Sequence, residues 1–360
     1  MLNELRAFLP MVEKVKARNP TMPILNHLCI QDETMRISDI ETTVIIPVDD
    51  KRSYTLPVNI LKQILKQKPQ ELLISLLEDN RIEIMFDMNS VVFESKDPEE
   101  YPCVPNEKFK KVAIWTREIF LQLYKQLEFV SNDELKPALN GVWVNQNSNI
   151  QTCATDGHTL EFIDNLEKEN EHCKITGKFT GIIPAKVIRI MARFFRCNVS
   201  VYRSEQFIKF ELPNKIKVFS RLIDDQYPDM EEILKFKNSN KVSIRRENLL
   251  KAIRASRPFT NPDSKLGVLS IQDGTIAINT QDIEKNIEFE THISTIERKG
   301  KEIRIGFNMD LLEKVIKNIN GEQILWHYDN PITASIFRSL QDSNKTHVLM
   351  PIRIEAKEDE

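Results

Sequence analysis

Glycine is scarce in this sequence, with nine residues among 360. No two of them form a G-x-G pattern, and no G-x-x-x-x-G-K-[ST] loop is present. Loops that hold phosphate need glycine because backbone N–H groups must approach the anion closely. The sequence therefore disfavours nucleotide hydrolysis and dinucleotide-dependent redox chemistry.

Cysteine and long apolar runs are also rare. The five cysteines are odd in number and form no C-x-x-C pair, so neither a disulfide framework nor a zinc ribbon is expected. No run approaches about 18 uncharged apolar residues, and the charged segment 1–19 lacks the apolar centre of a signal peptide. We expect reduced thiols, a cytoplasmic location, no metal and no cofactor.

Short strand-like segments dominate the hydrophobic pattern. Runs such as RIEIMF, FIKFEL and TIAIN are rich in β-branched and aromatic residues, and Asn, Asp and Gly separate them. They follow one another with few helices between them. This order favours antiparallel sheets and an α+β fold over alternating βαβ units.

Six segments have helical periodicity, and they form two sets of three. The first set begins near Glu4, Glu118 and Glu247, and the second near Pro57, Pro184 and Asn308. Proline suits the first helical position, where its missing N–H costs nothing, whereas Pro10 should kink or interrupt the first helix. Each set recurs at roughly a third of the chain length, as in an internal repeat. We predict three copies of one domain, over 1–110, 111–237 and 238–360.

Positive charge is concentrated in these helical segments. The net charge of the chain is −3, but the six segments together carry +13, which leaves −16 for the rest. In segment 185–196 the cations share one helical face, opposite apolar residues, Phe194 among them, that should pack on a sheet. Lys251, Arg254 and Arg257 recur at every third position. Such rows suit phosphates, with salt-sensitive, sequence-independent contacts, although a solvated face is the alternative for any single helix.

The stretch ATDGHTL, residues 154–160, is similar to the hallmark turn of the bacterial DNA polymerase III beta sliding clamps. Further segments resemble the same family in the same order: NPTMPILNHLCI, LNGVWV, GIIPAKVIRIMARFF, RLIDDQYPDMEEIL, EIRIGFNMDLLEKVI and VLMPIRI. The resemblance covers essentially the whole chain. It implies three similar α+β domains with antiparallel sheets outside and two helices per domain inside. It also implies that two chains close head to tail into a ring around duplex DNA.

This resemblance implies a processivity factor rather than an enzyme. The ring would hold duplex DNA without sequence preference, and a pocket would capture short linear motifs of DNA polymerase, clamp loader and repair proteins. Carried over position by position, the pocket residues are Leu139, Thr155, Gly157, His158, Thr159, Leu160, Pro228, Ile233, Asn308, Leu311, Ile332, Val348, Met350, Pro351, Ile352, Arg353 and Ile354. The DNA-facing residues, on or beside the basic helices, are Arg18, Lys62, Lys66, Lys186, Arg189, Arg193, Arg196, Lys251 and Arg254.

Several positions depart from the family pattern. Thr159 follows the histidine where members often carry Arg, Glu232 occupies a frequently basic place, and Asn19 replaces a frequent DNA-facing Arg. An acidic segment, 355–360, follows the MPIRI sequence. These departures leave open a secondary clamp, or a clamp-fold scaffold that binds partners without stable ring closure.

The alternative to a DNA-binding protein is an enzyme in which Asp156 and His158 are catalytic residues. Residues two apart in a strand face the same side, so the two side chains could converge. However, Asp-Gly is a strong signal for a tight turn, which explains the pair without chemistry. We therefore expect no catalytic residue.

Overall fold

The computed structural model of the chain describes residues 2–17, 20, 22–168, 172–229, 240–272 and 274–354. Five sequence predictions fall outside these described residues: Arg18, Asn19, Glu232, Ile233 and the acidic segment 355–360. Of the helices in the described part, none has the length and apolar character needed to cross a membrane.

Six α-helices lie in the described part of the chain. They are α1 (Leu2–Val15), α2 (Val58–Lys66), α3 (Arg117–Gln126), α4 (Ala185–Phe194), α5 (Arg246–Ser256) and α6 (Met309–Asn318). Strands lie between every two successive helices. Short 3-10 turns occur at Pro23–Asn26, Pro98–Glu100, Pro137–Asn140 and Arg257–Phe259.

Short strands make up most of the remaining regular structure. The strands of the first third are β1 (His27–Gln31), β2 (Thr34–Ser38), β3 (Thr42–Pro47), β4 (Tyr54–Pro57), β5 (Leu72–Leu76), β6 (Arg81–Phe86) and β7 (Asn89–Glu94). Those of the middle are β8 (Lys110–Trp115), β9 (Gly141–Gln146), β10 (Ile150–Thr155), β11 (Thr159–Ile163), β12 (Lys174–Ile175), β13 (Phe179–Pro184), β14 (Val199–Arg203), β15 (Phe207–Glu211) and β16 (Lys217–Arg221). The last are β17 (Asn240–Arg245), β18 (Leu266–Gln272), β19 (Thr275–Asp282), β20 (Ile287–Lys299), β21 (Ile303–Asn308), β22 (Gln323–Tyr328), β23 (Ser335–Ser339) and β24 (Lys345–Leu349).

The first of two compact units comprises residues 1–124, 146–148 and 169–224. Its larger sheet has the strand order β12-β8-β14-β15-β16-β3-β2-β1-β4, and a separate sheet has the order β5-β6-β7. Strands from the first and middle parts of the chain meet where β16 pairs antiparallel with β3, placing Val218 opposite Val44. Both residues are fully buried, so this junction belongs to the hydrophobic core.

The second compact unit comprises residues 125–145, 149–168 and 225–360. Within it, strands follow the order β9-β10-β11-β24-β23-β22-β17-β20-β19-β18-β21. The hairpin β10–β11 carries the ATDGH turn, and β11 pairs antiparallel with β24, with Leu160 opposite Val348. The last of the described strands thus lies directly beside the hairpin that carries the predicted hallmark turn.

The helix starts differ slightly from the prediction, and Pro10 does not interrupt the first helix. Helix α1 runs from Leu2 to Val15 without interruption although Pro10 lies inside it. Pro10 is exposed, so the carbonyl that loses its helical hydrogen bond can be satisfied by water. Pro57 and Pro184 are N-cap residues with extended backbone, one position before the first helical turn.

The end of helix α4 also differs from the prediction. Arg196 was expected to continue the basic face, but α4 ends at Phe194, because Phe195 has extended backbone with φ of −117° and ψ of 135°. This change of direction buries the Phe195 side chain. Phe194 is half-buried, whereas Val187, Ile188 and Met191 of the same predicted face are buried.

Candidate functional site

The turn between β10 and β11 is built around the Asp156 carboxylate. Its Oδ1 atom accepts hydrogen bonds from the backbone N–H groups of His158 at 2.9 Å and Thr159 at 2.7 Å. Its Oδ2 atom accepts from the Thr159 hydroxyl at 2.9 Å. Gly157 has a φ of +91°, a left-handed conformation that any side chain would strain. The Asp-Gly pair is therefore a turn-forming element, and His158 is exposed beside it.

Lys314 of helix α6 holds this turn from outside the hairpin. Its ammonium lies 2.7 Å from Asp156 Oδ2, and the two side chains are 21% and 19% exposed. The same ammonium lies 5.1 Å from the centre of the Phe129 ring, within cation–π distance. Sequence reasoning did not assign Lys314 to the site, because 158 residues separate it from Asp156 and no local pattern links them.

The pKa of Asp156 lies below its ordinary value of 3.8. Burial acts to raise this pKa, but hydrogen bonds from Lys314 and from the backbone of Thr159 and His158 outweigh burial. A carboxylate with a lowered folded-state pKa stabilises the fold above its unfolded-state pKa. That stabilisation is lost as the pH falls through the folded-state value.

Replacing Asp156 with Asn is expected to lower the free energy of unfolding by about 1.5–3 kcal/mol at neutral pH, the usual contribution of hydrogen bonds to a charged group. The amide nitrogen that replaces Oδ2 can accept neither from the Thr159 hydroxyl nor from Lys314. The difference from the native chain should shrink as the pH falls below 3.8, because protonation of Asp156 weakens the same hydrogen bonds. Urea unfolding between neutral pH and a pH below 3.8 measures this difference in free energy. The control is Asp263→Asn, a substitution at an exposed site in the same unit. An unchanged difference at all pH values would contradict the assignment.

The C-terminal segment 350–354 is fixed at two points by backbone hydrogen bonds. Met350 N–H donates to the His158 carbonyl at 2.9 Å, which fastens the segment to the ATDGH turn. Ile352 N–H donates to the Gly306 carbonyl at 2.8 Å, which fastens it to strand β21. Met350 is 44% exposed, so an apolar side chain faces solvent next to the turn. The predicted pocket residues of the turn and of the chain end are therefore neighbours.

Gly306 is a residue of this arrangement that the sequence prediction missed. A Cβ atom at this position would lie 2.7 Å from the Ile352 carbonyl oxygen and 2.7 Å from Cγ2 of Ile354. Only glycine therefore allows the C-terminal segment to lie this close to β21. A signal was present, because an isolated glycine inside a strand, as in EIRIGF, indicates a close approach of another backbone.

Beneath the turn lies a small apolar core. Cys153, Leu160, Ala334, Ile336 and Val348 form a buried cluster, against which Trp143, Phe162 and Tyr227 pack. The Tyr227 hydroxyl donates to the Cys153 carbonyl at 3.1 Å, and burial raises the pKa of both the phenol and the Cys153 thiol. Leu160 and Val348 are thus core residues beneath the turn, and their side chains are not exposed to a binding partner.

The remaining pocket positions differ in exposure. Asn308 is the N-cap of α6, where its Oδ1 accepts from the N–H groups of Asp310 at 3.0 Å and Leu311 at 3.2 Å. Leu311 is half-buried. Those with buried side chains are Leu139, Thr155 and Thr159, those that are half-buried are Pro351, Ile352 and Ile354, and those that are exposed are Pro228, Ile332 and Arg353.

Two predicted DNA-facing lysines of the first unit are engaged by carboxylates. Lys62 pairs with Glu13, which joins α2 to α1. Lys186 pairs with Asp39 and also donates to the Val15 carbonyl at 2.7 Å, which joins α4 to the end of α1. These contacts give both lysines a structural role.

Arg189 and Arg193 lie one turn apart on α4 and are exposed. Within the part of the chain that the structure describes, neither has a carboxylate within ion-pair distance. Lys66 is exposed in the last turn of α2, and Arg196 is exposed beyond the end of α4. The first unit therefore presents cations that are available to an anionic ligand.

The basic row of the second unit is partly neutralised. Lys251 and Arg254 are exposed on α5, but Arg254 Nε donates to the Glu313 carboxylate at 2.8 Å. Arg257 lies beyond the end of α5, where its Nε donates to Asp310 at 2.7 Å and its guanidinium also pairs with Glu313. Acidic side chains of α6 thus compensate charge that the helical spacing alone assigned to DNA.

The described residues contain no cluster of three or more His, Cys, Asp or Glu side chains that could hold a metal ion. Asp156 accepts hydrogen bonds from the turn and from Lys314. Its carboxylate therefore has a structural role that accounts for its place beside Gly157 and His158.

Two family descriptions match adjoining parts of the chain. "DNA polymerase III beta subunit, central domain" matches residues 116–229, and "DNA polymerase III beta subunit, C-terminal domain" matches residues 232–353. Among curated relatives, the beta sliding clamp of Caulobacter vibrioides is 23% identical over 363 residues, which cover 95% of this chain and 96% of the relative. The beta sliding clamp of Bacillus subtilis is 24% identical over 327 residues, covering 86% of this chain and 82% of the relative.

Solved structures resemble the chain over almost its whole length. The DNA polymerase III beta chain of Streptococcus pneumoniae has a TM-score of 0.86 at 19% identity, with 98% of both chains covered. The DNA polymerase sliding clamp of Bacillus subtilis has a TM-score of 0.86 at 20% identity, again with 98% of both chains covered. At this level of identity, the structural similarity describes the fold.

Proposed function

We infer the function from the family, since the chain belongs to the DNA polymerase III beta subunit family, the beta sliding clamps, and is a DNA sliding clamp. One observation carries this conclusion: matches to the central and C-terminal clamp domains accompany a clamp fold along nearly the whole chain. The fold is the three-domain clamp fold of the α+β class, as predicted. Sliding clamps are processivity factors without catalysis, and their partners are DNA and polymerases.

The finer features are part of the proposal. The chain has no catalytic activity, consistent with the role of Asp156 in the turn. Its domains extend over 1–110, 111–237 and 238–360, and the presence of two described α-helices in each range supports this division. Two chains close head to tail into a ring, a heterologous contact whose rotation closes after two copies.

The ring holds duplex DNA by topology, so weak contacts to phosphates are sufficient. Exposed Arg189 and Arg193, with Lys66, Arg196 and Lys251, supply such contacts. Contacts of this kind are independent of base sequence and permit sliding. A cytoplasmic location stays a prediction.

Partner proteins bind at the turn 155–160 and the segment 350–354. The two are joined by the hydrogen bond from Met350 N–H to the His158 carbonyl, and Met350 and Ile332 are exposed apolar side chains. Apolar surface with a few polar groups that fix orientation suits a short linear motif. Polymerase, clamp loader and repair proteins are the proposed clients.

Retention on circular DNA tests the topological link. The chain is loaded onto a nicked plasmid by the clamp loader of its own source, and unbound protein is removed by gel filtration. We expect the protein to stay on the circle and to leave after a restriction enzyme linearises it. A closed ring cannot leave a circle, but it can slide off the end of a linear molecule. Sedimentation of the free protein should give the mass of two chains.

A chain that sediments as a monomer and leaves circles and linear DNA at the same rate would contradict ring closure. That result would support the alternative of a clamp-fold scaffold. A dimer that remains on linear DNA after cutting would show binding without encirclement and would also contradict the proposal.

A further inference from the structure

A cavity of about 980 Å³ lies beside helices α1, α3 and α4 in the first compact unit. Its cationic side chains include Lys14 and Lys16 near the end of α1, and Arg189 and Arg193 on α4. Lys16 donates to the neutral side-chain oxygen of Asn59 at 3.0 Å. Within the described residues, Lys14, Arg189 and Arg193 have no carboxylate at ion-pair distance.

The two carboxylates in the wall of this cavity do not neutralise these cations. Glu13 pairs with Lys62, and Asp39 pairs with Lys186. The cavity therefore has uncompensated positive charge on two of its sides. Such a site favours an anion, and phosphate groups are the anions that arginine pairs bind well.

The cavity wall also contains exposed aromatic surface. Tyr124 of α3 lines it and is 50% exposed, and Leu121 lies one turn before it on the same helical face. Phe194, the last residue of α4, lines it as well and is half-buried. The Arg193 guanidinium lies 5.6 Å from the centre of the Phe194 ring, which gives a cation and an aromatic ring in one contact.

Aromatic rings beside phosphate-binding cations favour single-stranded over duplex DNA. Duplex DNA presents phosphates and sugars to a sequence-independent surface, and its bases stay stacked inside the helix. Single-stranded DNA presents its bases, which stack on aromatic side chains and on arginine while the backbone follows positive charge. The cations alone would serve either form, but Tyr124 and Phe194 add affinity only for unpaired bases.

We propose that this cavity binds unpaired nucleotides of single-stranded DNA, with phosphates on Lys14, Arg189 and Arg193 and a base on Tyr124 or Phe194. The inference rests on the proposed contact of the basic helices with duplex DNA. It assigns single-stranded DNA to the part of that surface formed by α1, α3 and α4. A clamp at a primer–template junction meets both forms, since the template continues beyond the duplex as a single strand.

Binding of short linear oligonucleotides tests the proposal without any contribution from encirclement. Fluorescence anisotropy with the full chain compares an oligothymidylate with an abasic oligonucleotide of equal length and charge. We expect the oligothymidylate to bind about 5- to 100-fold more tightly, the range for stacking of a base on an aromatic side chain. Equal affinities would overturn the proposal, because phosphate contacts would then explain all binding.

Substitution of Tyr124 assigns the binding to this cavity. Tyr124 is half exposed, so Tyr124→Leu keeps an apolar side chain without disturbing the core, and Tyr124→Phe keeps the aromatic ring. We expect Tyr124→Leu to lose several-fold in affinity for oligothymidylate, with Tyr124→Phe close to native and abasic binding unchanged in both. Native affinity of the Tyr124→Leu and Phe194→Leu variants for oligothymidylate would overturn the proposal.

Two further measurements distinguish binding of single-stranded DNA from contact with duplex DNA and from binding of a free nucleotide. The Tyr124→Leu variant should remain on nicked circular DNA as long as the native chain; loss of retention would mean that Tyr124 acts on duplex DNA, which overturns the assignment. Thymidine monophosphate at the same nucleotide concentration should not displace the oligothymidylate. If thymidine monophosphate displaced the oligothymidylate, the cavity would be a site for a free nucleotide, and the proposal that it binds a DNA strand would be overturned.

Discussion

Ending the chain after Leu349 is expected to reduce the affinity for a clamp-binding peptide at least about a hundredfold, which corresponds to about 2.7 kcal/mol. The truncation removes segment 350–354 and, with it, the hydrogen bonds of Met350 to His158 and of Ile352 to Gly306. It also removes the exposed Met350 side chain, and a few apolar anchors usually dominate the binding of short segments. The strands that fold the unit, including β24, remain present.

The matched control is a chain that ends after Ile354 and lacks only the acidic segment 355–360. Its affinity should stay within about threefold of the native value, because this chain keeps every residue of segment 350–354 and a few anchors usually dominate binding. Anisotropy of a labelled peptide with the clamp-binding motif of a polymerase measures both chains, and thermal unfolding verifies that both fold. Native affinity of the shorter chain would show that the site lies elsewhere. A hundredfold loss in the control would transfer the role to the acidic segment.

Reversing the charge of Arg189 and Arg193 together, as Arg189→Glu with Arg193→Glu, is expected to shorten retention on nicked circular DNA about 10- to 100-fold. Both side chains are exposed and, among the described residues, unpaired, so the fold loses no ion pair. Lys186 is left unchanged because its contacts with Asp39 and Val15 join helices. The slope of log affinity against log salt should become shallower by about 0.9 for each phosphate that the variant no longer neutralises.

Lys108→Glu with Lys110→Glu is the control for this pair, because it makes the same change in net charge at exposed lysines at or just before the start of β8. We expect its retention and its salt slope to stay near native. Loss of retention in both variants would mean that net charge alone governs DNA contact. Native retention in the α4 variant would contradict the assignment of Arg189 and Arg193 to DNA.

Local periodicity was sufficient to predict the six described helices and part of the strands. The six helical segments have polar starts and apolar faces at helical spacing, so α1 to α6 were each predicted within a few residues. Strand β20 shows the limit, because NIEFE indicated only the beginning of a strand that continues to Lys299. Burial continues to alternate beyond Glu290, but Thr291 and Thr295 occupy inward positions, so the apolar alternation in the sequence becomes weak.

Contacts between distant parts of the chain could not be predicted in the same way. The pairing of β11 with β24, the ion pair between Asp156 and Lys314, and the neutralisation of Arg254 by Glu313 depend on tertiary structure. Helical spacing correctly indicated that Arg189 and Arg193 are neighbours, but it could not show which cations have carboxylate partners. The assignment of these residues to DNA and of the turn to peptides stays a prediction until the variants above are measured.

The position of β24 has a consequence for how the molecule is made. Ribosomes release a protein from its N-terminus, and domains generally fold in that order during synthesis. The hairpin that carries the ATDGH turn therefore emerges long before β24 and segment 350–354, which complete its neighbourhood. On the proposed assignment, a chain that ends before β24 has no complete docking surface for partner proteins. The proposed docking surface is thus completed only when β24 and segment 350–354 have been made.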